Sequence, residues 1–236
     1  MRWREWDELP KGLRVPEVRE YYEILSKKKF SLRMKRCFDV VVAAVMLVCL
    51  SPIMLLIAVA IVCDSPGGVF YRQERVTQYG KIFRIHKFRT MVSNADKIGT
   101  QVTVENDSRI TKIGSVLRKY RLDEIPQLVD VLEGNMSFVG TRPEAKTYVG
   151  KYKPEMRATL LLPAGVTSEA SIRYKDEAML MNVSENIDKV YVEEVLPEKM
   201  KFNLDSIRNF SFFNEILIMI RTIFAVIGKN EDKGNI

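Results

Sequence analysis

Apolar positions along the chain form one long run and several shorter periodic stretches. From Val40 to Cys63 no residue carries a charge, and only Ser51 and Pro52 interrupt the apolar character. A helix of that length measures about 36 Å, against roughly 30 Å of hydrocarbon in a bilayer. Pro52 removes a backbone N–H and disfavours helix at the preceding residue, so it divides the run into two equal halves. The hydroxyl of Ser51 stands where it can satisfy a carbonyl that the proline leaves free. Elsewhere the period is shorter. Val18, Tyr21, Tyr22 and Leu25 recur at helical spacing opposite charged positions, which predicts an amphipathic helix over 17–28 resting on a surface. Val69-Phe70-Tyr71 and Ile82-Phe83-Arg84-Ile85 predict short strands joined by a turn at Tyr79-Gly80.

Helices are predicted over 108–120, with Ile110, Ile113, Val116 and Leu117 inward, and over 125–132, where Pro126 is tolerated in the first turn. The second of these stops before Gly134-Asn135. Pro154 and Pro163 interrupt the mixed stretch 148–174, and 182–195 predicts another helix. Over 211–226 a broad apolar face (Phe212, Phe213, Ile216, Leu217, Ile220, Ile223, Phe224) suits either a packed terminal helix or one lying in the bilayer interface.

Charge changes the reading of the long run. Lys27, Lys28, Lys29, Arg33, Lys35 and Arg36 precede it, and Arg72, Arg75, Lys81, Arg84, Lys87 and Arg89 follow it. The positive-inside rule places both flanks on the cytoplasmic side. A segment that enters, bends at Ser51-Pro52 and returns satisfies both, so the pattern predicts a re-entrant helix-break-helix hairpin. The chain as a whole has 37 Lys and Arg against 30 Asp and Glu, a net charge of +7, which suits a seat on anionic headgroups. The three cysteines lie in or beside the apolar run, which excludes a disulfide scaffold; one histidine, His86, excludes a Cys/His zinc site.

Two stretches can carry chemistry. Arg118-Lys119-Tyr120-Arg121 directly precedes Asp123-Glu124-Ile125-Pro126. Adjacent carboxylates before a helix commonly do no more than complement its dipole. The same helix end is expected to lower the pKa of Asp123 and hold it ionised, and an ionised carboxylate can attack phosphorus when a cation polarises the target. Mg²⁺ takes one or two carboxylates plus phosphate oxygens, which this pair could supply. Nineteen residues later, Gly134 to Pro143 delivers Arg142 from a glycine-bounded apolar stretch, either as a phosphate clamp or as a surface ion pair. Lys87-Phe88-Arg89-Thr90-Met91 is a further basic knot.

Taken in order, these stretches resemble the bacterial sugar transferases, the monotopic polyprenyl-phosphate phosphoglycosyl transferases. The resemblance rests on Lys35-Arg36-Cys37-Phe38-Asp39 leading into the apolar run, Phe70-Tyr71-Arg72-Gln73, Lys87-Phe88-Arg89-Thr90-Met91, Arg121 to Leu128, and Met136 to Pro143, and it covers about residues 33–227. It implies transfer of a sugar-1-phosphate from a UDP-sugar to polyprenyl (undecaprenyl) phosphate at the cytoplasmic face of the bacterial inner membrane, initiating exopolysaccharide, capsule or glycoconjugate synthesis. It implies Asp123 as the nucleophile that releases UMP, Glu124 placing Mg²⁺ and assisting with protons, and Arg118, Arg142, Arg89 and Lys175 as substrate-binding cations. Thr141 and Ala164 depart from the family's prolines at the loop of Arg142 and at Gly165; neither removes an ionisable group.

The fold expected is mainly helical α/β: an amphipathic extension (1–34), a membrane hairpin (35–64), a small cytoplasmic catalytic domain with short strands (65–227) and a tail (228–236), as in the family's short form. Homodimerisation is left open, through the N-terminal helix or the C-terminal apolar face. Two other classes compete. A membrane-anchored scaffold or nucleic-acid binder is disfavoured because the basic residues cluster at the membrane flanks. A glycosyltransferase that moves sugar without its phosphate would release UDP rather than UMP.

Overall fold

A computed structural model describes residues 3–95, 107–174 and 187–227. Its organising element is helix α2 (Lys29–Asp64), preceded by α1 (Pro16–Ser26). The helix is continuous through Pro52, where the sequence predicts a break. The reason is local: Ser51 Oγ donates to the carbonyl of Val48 at 2.8 Å, the acceptor that a proline at 52 leaves without its N–H. Val48, Leu55 and Leu56 are about two-thirds exposed or more, so this stretch is apolar surface rather than core.

Both ends of α2 are fixed to one domain. At the N-terminal end, Arg36 donates to the carbonyls of Val131 and Leu132 at 2.5 and 2.9 Å. At the other end, the carboxylate of Asp64 accepts the N–H of Ile113 at 2.9 Å. Ala43 packs among Phe83, Ile85, Leu128 and Val131, whereas Ile57 and Ile61 pack with Phe88 and Leu117. Beneath the entry to α2 lies a buried charge cluster. Lys35 pairs with Glu215 at 2.6 Å and with Asp39 at 3.8 Å, and Asp39 accepts Ser137 Oγ at 2.8 Å.

The hairpin that follows α2 has the expected strands, extended by a few residues: β1 (Phe70–Val76) and β2 (Ile82–Phe88), antiparallel with Arg72 opposite His86. Its turn uses a left-handed Tyr79 and Gly80. Next comes α3 (Lys112–Lys119), capped by Thr111, whose hydroxyl accepts the N–H of Gly114. A one-turn 3₁₀ segment, Leu122–Glu124, leads into α4 (Gln127–Glu133), which ends on a left-handed Gly134. A second, parallel pair joins β3 (Met136–Val139) to β4 (Ala164–Thr167), with α5 (Lys146–Val149) and the 3₁₀ segment Glu155–Leu161 between them. After β4 come α6 (Glu169–Arg173), α7 (Ile187–Val190), a π-helical turn Tyr191–Val195, α8 (Leu196–Arg208) and α9 (Phe212–Ile227). The predicted 182–195 helix is described only from Ile187, and the predicted tail lies outside the described residues.

The N-terminal helix buries the residues its periodicity selects, but against protein. Val18, Tyr21, Tyr22 and Leu25 pack on Ala158, Leu161, Leu204, Ile207 and Phe210. Trp3 and Trp6 close over Tyr22, each with ring centroids 5.2 Å away. Helix α9 divides its apolar residues between two faces: Ile218 is buried, whereas Phe213, Ile223 and Phe224 are more than half exposed, as are Val41, Val45 and Val59 of α2.

Close approach of β4 to the loop after β3 depends on two glycines. A Cβ on Gly165 would lie 2.2 Å from the backbone of Gly140, well inside any tolerated contact. Gly165→Ala is expected to destabilise by about 1–3 kcal/mol through overpacking, lowering Tm by several degrees for a domain of this size. Thermal unfolding in detergent checks it, with Gly12→Ala, at an exposed position where an added Cβ meets no atom nearer than 4.0 Å, as the comparison.

Candidate active site

The dyad sits at a forced turn. Helix α3 ends at Tyr120, and Arg121 then adopts a left-handed backbone (φ 58°) that reverses the chain into the 3₁₀ turn carrying Asp123 and Glu124. A non-glycine residue holds that conformation at a cost of about 1–2 kcal/mol. Ile125 and Pro126 keep helical angles, so the turn runs on into α4. Asp123 is buried, and Glu124 has a side chain about one-tenth exposed.

The two carboxylates have different surroundings. Glu124 is held by two cations from separate elements. Lys87 of β2 donates to Oε1 at 2.9 Å, and Arg142, from the loop after β3, donates to Oε1 at 2.5 Å and to Oε2 at 3.3 Å. Asp123 makes no hydrogen bond among the described residues; Lys87, Arg118 and Arg121 act on it through charge alone. Nη1 of Arg118 is buried without a partner.

These settings drive the titrations apart. Burial raises Asp123, as does the Glu124 charge, while Lys87, Arg118 and Arg121 pull in the other direction; the balance is a raised pKa. This corrects the expectation of a lowered pKa: desolvation outweighs the neighbouring cations. Burial would raise Glu124 as well, but the charges of Arg142 and Lys87 override it and hold its carboxyl well below the usual range. Burial lowers Lys87 against the attraction of Glu124, whereas the Glu124 charge raises Arg142.

Of the residues selected from sequence, the structure brings Asp123, Glu124, Arg118 and Arg142 together. Arg89 is placed elsewhere. Its guanidinium donates to the carbonyls of Ser65 and Pro66 at 2.7 and 2.6 Å, and to Ser93 Oγ at 3.1 Å, so it fastens the exit of α2 instead of facing the dyad. Lys175 lies outside the described residues. The residue that sequence reasoning passed over is Lys87. The signal was present: buried Phe83 and Ile85 alternate along β2, and the same period places Lys87 on their face.

A carboxylate free of hydrogen bonds beside a pinned one, ringed by cations, is electrostatically suited to an anionic group such as a phosphate, and the loops around it are those of a recognisable family. The model of the bacterial sugar transferases matches residues 30–229. The chain belongs to the bacterial sugar transferase family. Among relatives of this family member, the UDP-glucose:undecaprenyl-phosphate glucose-1-phosphate transferase of Escherichia coli K12 is 36% identical over 196 residues, covering 81% of this chain and 39% of that protein. The UDP-N-acetylgalactosamine-undecaprenyl-phosphate N-acetylgalactosaminephosphotransferase of Aeromonas hydrophila is 33% identical, over 82% of this chain and 43% of its own length. The exopolysaccharide production protein ExoY of Sinorhizobium fredii is 31% identical over 81% of this chain and 84% of its own. The chain thus spans about two-fifths of the first two relatives and most of the third.

The electrostatic asymmetry of the dyad is directly measurable. In a ¹³C-carboxyl NMR titration, Glu124 is expected to lose its proton first, below the ~4.3 of a free glutamate, and Asp123 second, above the ~3.9 of a free aspartate. Arg142→Met should move the Glu124 midpoint upward. Titration in the ordinary order, Asp123 first, would contradict the account.

Proposed function

We propose that this chain transfers a sugar-1-phosphate from a UDP-sugar to polyprenyl phosphate, releasing UMP, through a covalent intermediate on Asp123. The observation that carries this reading is the division of labour in the dyad: Asp123 is unbonded, whereas Glu124 is fixed by Lys87 and Arg142. A nucleophile has to be free to approach its target, and a carboxylate already committed to two cations is poorly placed for that.

The bonds balance in two displacements. A carboxylate oxygen of Asp123 attacks the sugar-bearing phosphorus, and the phosphoanhydride bond breaks with its electron pair leaving on UMP. A phosphate oxygen of the polyprenyl phosphate then attacks the same phosphorus. The P–O bond to Asp123 breaks, restoring the carboxylate and giving a lipid-diphosphosugar. Both substrates are anionic and must approach a carboxylate, so cations must offset the repulsion. Arg118, with its buried unpartnered Nη1, and Arg142, a third exposed, are suited to phosphate oxygens. Lys87 can remain on Glu124 when Arg142 turns to a phosphate.

Two adjacent carboxylates, one without hydrogen bonds, fit Mg²⁺ in the mode in which protein supplies one or two oxygens and substrate phosphates supply others. Asp123 and Glu124 would hold the ion, which contributes charge neutralisation at the transferring phosphoryl group. The sugars named for the two transferases, glucose and N-acetylgalactosamine, indicate the donor class to test first.

The membrane reading belongs to the same proposal: α2, unbroken as a helix at Pro52, kinks there, dips into the cytoplasmic leaflet and returns. Support comes from the basic flanks, from attachment of both ends of α2 to one domain, and from its exposed apolar middle. With both flanks on one side, a soluble nucleotide sugar and a lipid phosphate can meet at the dyad.

UMP released from a panel of UDP-sugars with undecaprenyl phosphate and Mg²⁺ tests the chemistry. Wild type is expected to turn over one or a few donors; Asp123→Asn should lose about three orders of magnitude or more, as removal of a covalent nucleophile does. UDP release, or UMP release that survives the substitution, would overturn the covalent route. For topology, single cysteines at positions 30 and 75, in a background lacking Cys37, Cys49 and Cys63, should both react only from the cytoplasmic side. Labelling from opposite sides would show a spanning helix instead.

A further inference from the structure

The cation clamp on Glu124 requires Lys87 to be held at a fixed height, yet Lys87 rides on a two-stranded hairpin, an element with little stability of its own. Its outer edge offers unpaired backbone groups. One side chain takes up such a group beside the site. The carboxylate of Asp130 accepts the backbone N–H of His86 at 2.8 Å through Oδ2, and its Oδ1 lies 2.8 Å from His86 Nδ1. Asp130 is completely buried, and His86 is the residue immediately before Lys87. Asp130 is carried on α4, continuous with the turn that holds Asp123 and Glu124.

From the 3₁₀ turn into α4, Glu124, Gln127 and Asp130 follow at three-residue intervals. Glu124 reaches Lys87 and Asp130 reaches His86. Gln127 between them is buried with neither amide atom paired, so it does not tie the strand. A strand can slip along an edge contact, and a one-residue slip turns each side chain to the opposite face. A two-point grip on one residue, through its main chain and its ring, prevents that slip next to Lys87.

We propose that Asp130 is a positioning residue of the transferase reaction: by gripping His86 it fixes the register of β2 against α4 and so sets Lys87 on Glu124. It touches neither substrate nor reacting atoms, and its effect passes through Lys87. The inference rests on the phosphoglycosyl transfer proposed above.

Asp130→Ala is expected to lower kcat for UMP release about tenfold or more, since misplacement of a catalytic group by an ångström has effects up to 10²-fold. KM for the UDP-sugar should change less than about threefold, a split that reflects loss in the transition state and not in binding. Asp130→Asn keeps an acceptor for the His86 N–H and should recover most of kcat. The decisive comparison is with Lys87→Met. If Asp130 acts through Lys87, adding Asp130→Ala to Lys87→Met costs little more, whereas independent effects multiply.

Wild type is the control that separates the two proposals. No UMP from wild type refutes the transfer reaction; UMP from wild type with an unchanged kcat in folded Asp130→Ala refutes the positioning role alone, as does multiplication of the two losses. Should Asp130→Ala not fold, His86→Phe removes the ring contact and leaves the main-chain bond. A kcat several-fold lower at unchanged KM then supports the role, and a wild-type kcat overturns it.

Discussion

The double grip on Glu124 is the contact on which the arrangement of the domain turns. A buried carboxylate is costly unless its charge is compensated, and here compensation comes from two places distant in sequence. Lys87 arrives on an antiparallel hairpin and Arg142 on a loop leaving a parallel strand. Neither can reach Glu124 unless both sheets, α4 and the turn after α3 are assembled. The geometry of the candidate site is therefore a readout of the whole fold, and Asp123, alongside, is left unbonded while Lys87 and Arg142 are taken up by its neighbour.

The strongest signals in the sequence were those with a local cause. The helix around Val18 and Leu25, the Tyr79-Gly80 turn and the cap at Gly134 all follow from residues within a few positions. What periodicity missed was non-local. Met136 to Val139 is buried at every position, so it carries no alternation, and its partner begins at Ala164. Helix α8 lies beyond the helix predicted over 182–195; its Pro197 occupies the first turn, where the missing N–H is not needed.

The misreadings at the site have one physical origin. Arg89 and Lys87 belong to the same basic motif, and composition cannot say which of two neighbouring cations is committed to carbonyls at a helix exit and which to a carboxylate. The same holds for Asp123: helix position argued for a lowered pKa, but burial, a property of the assembled domain, decides the sign. Residue types and their order were legible, and their electrostatic environment was not. The N-terminal helix is a related case, since its apolar face was evident but the protein surface that receives it was not.

The charge cluster under the entry of α2 bears on how the chain is made. Lys35 and Asp39 stand one helical turn apart, whereas Glu215 is separated from Lys35 by 180 residues. The ribosome delivers the apolar helix long before α9 exists. Until then the lysine has a counter-ion available one turn away on its own helix. Glu215 arrives last, at the shorter distance, and closes a bond that registers completion of the polypeptide. Biosynthetic order is thereby written into a single lysine: a partner one turn away from the outset, and a second, closer one once the C-terminal helix has docked.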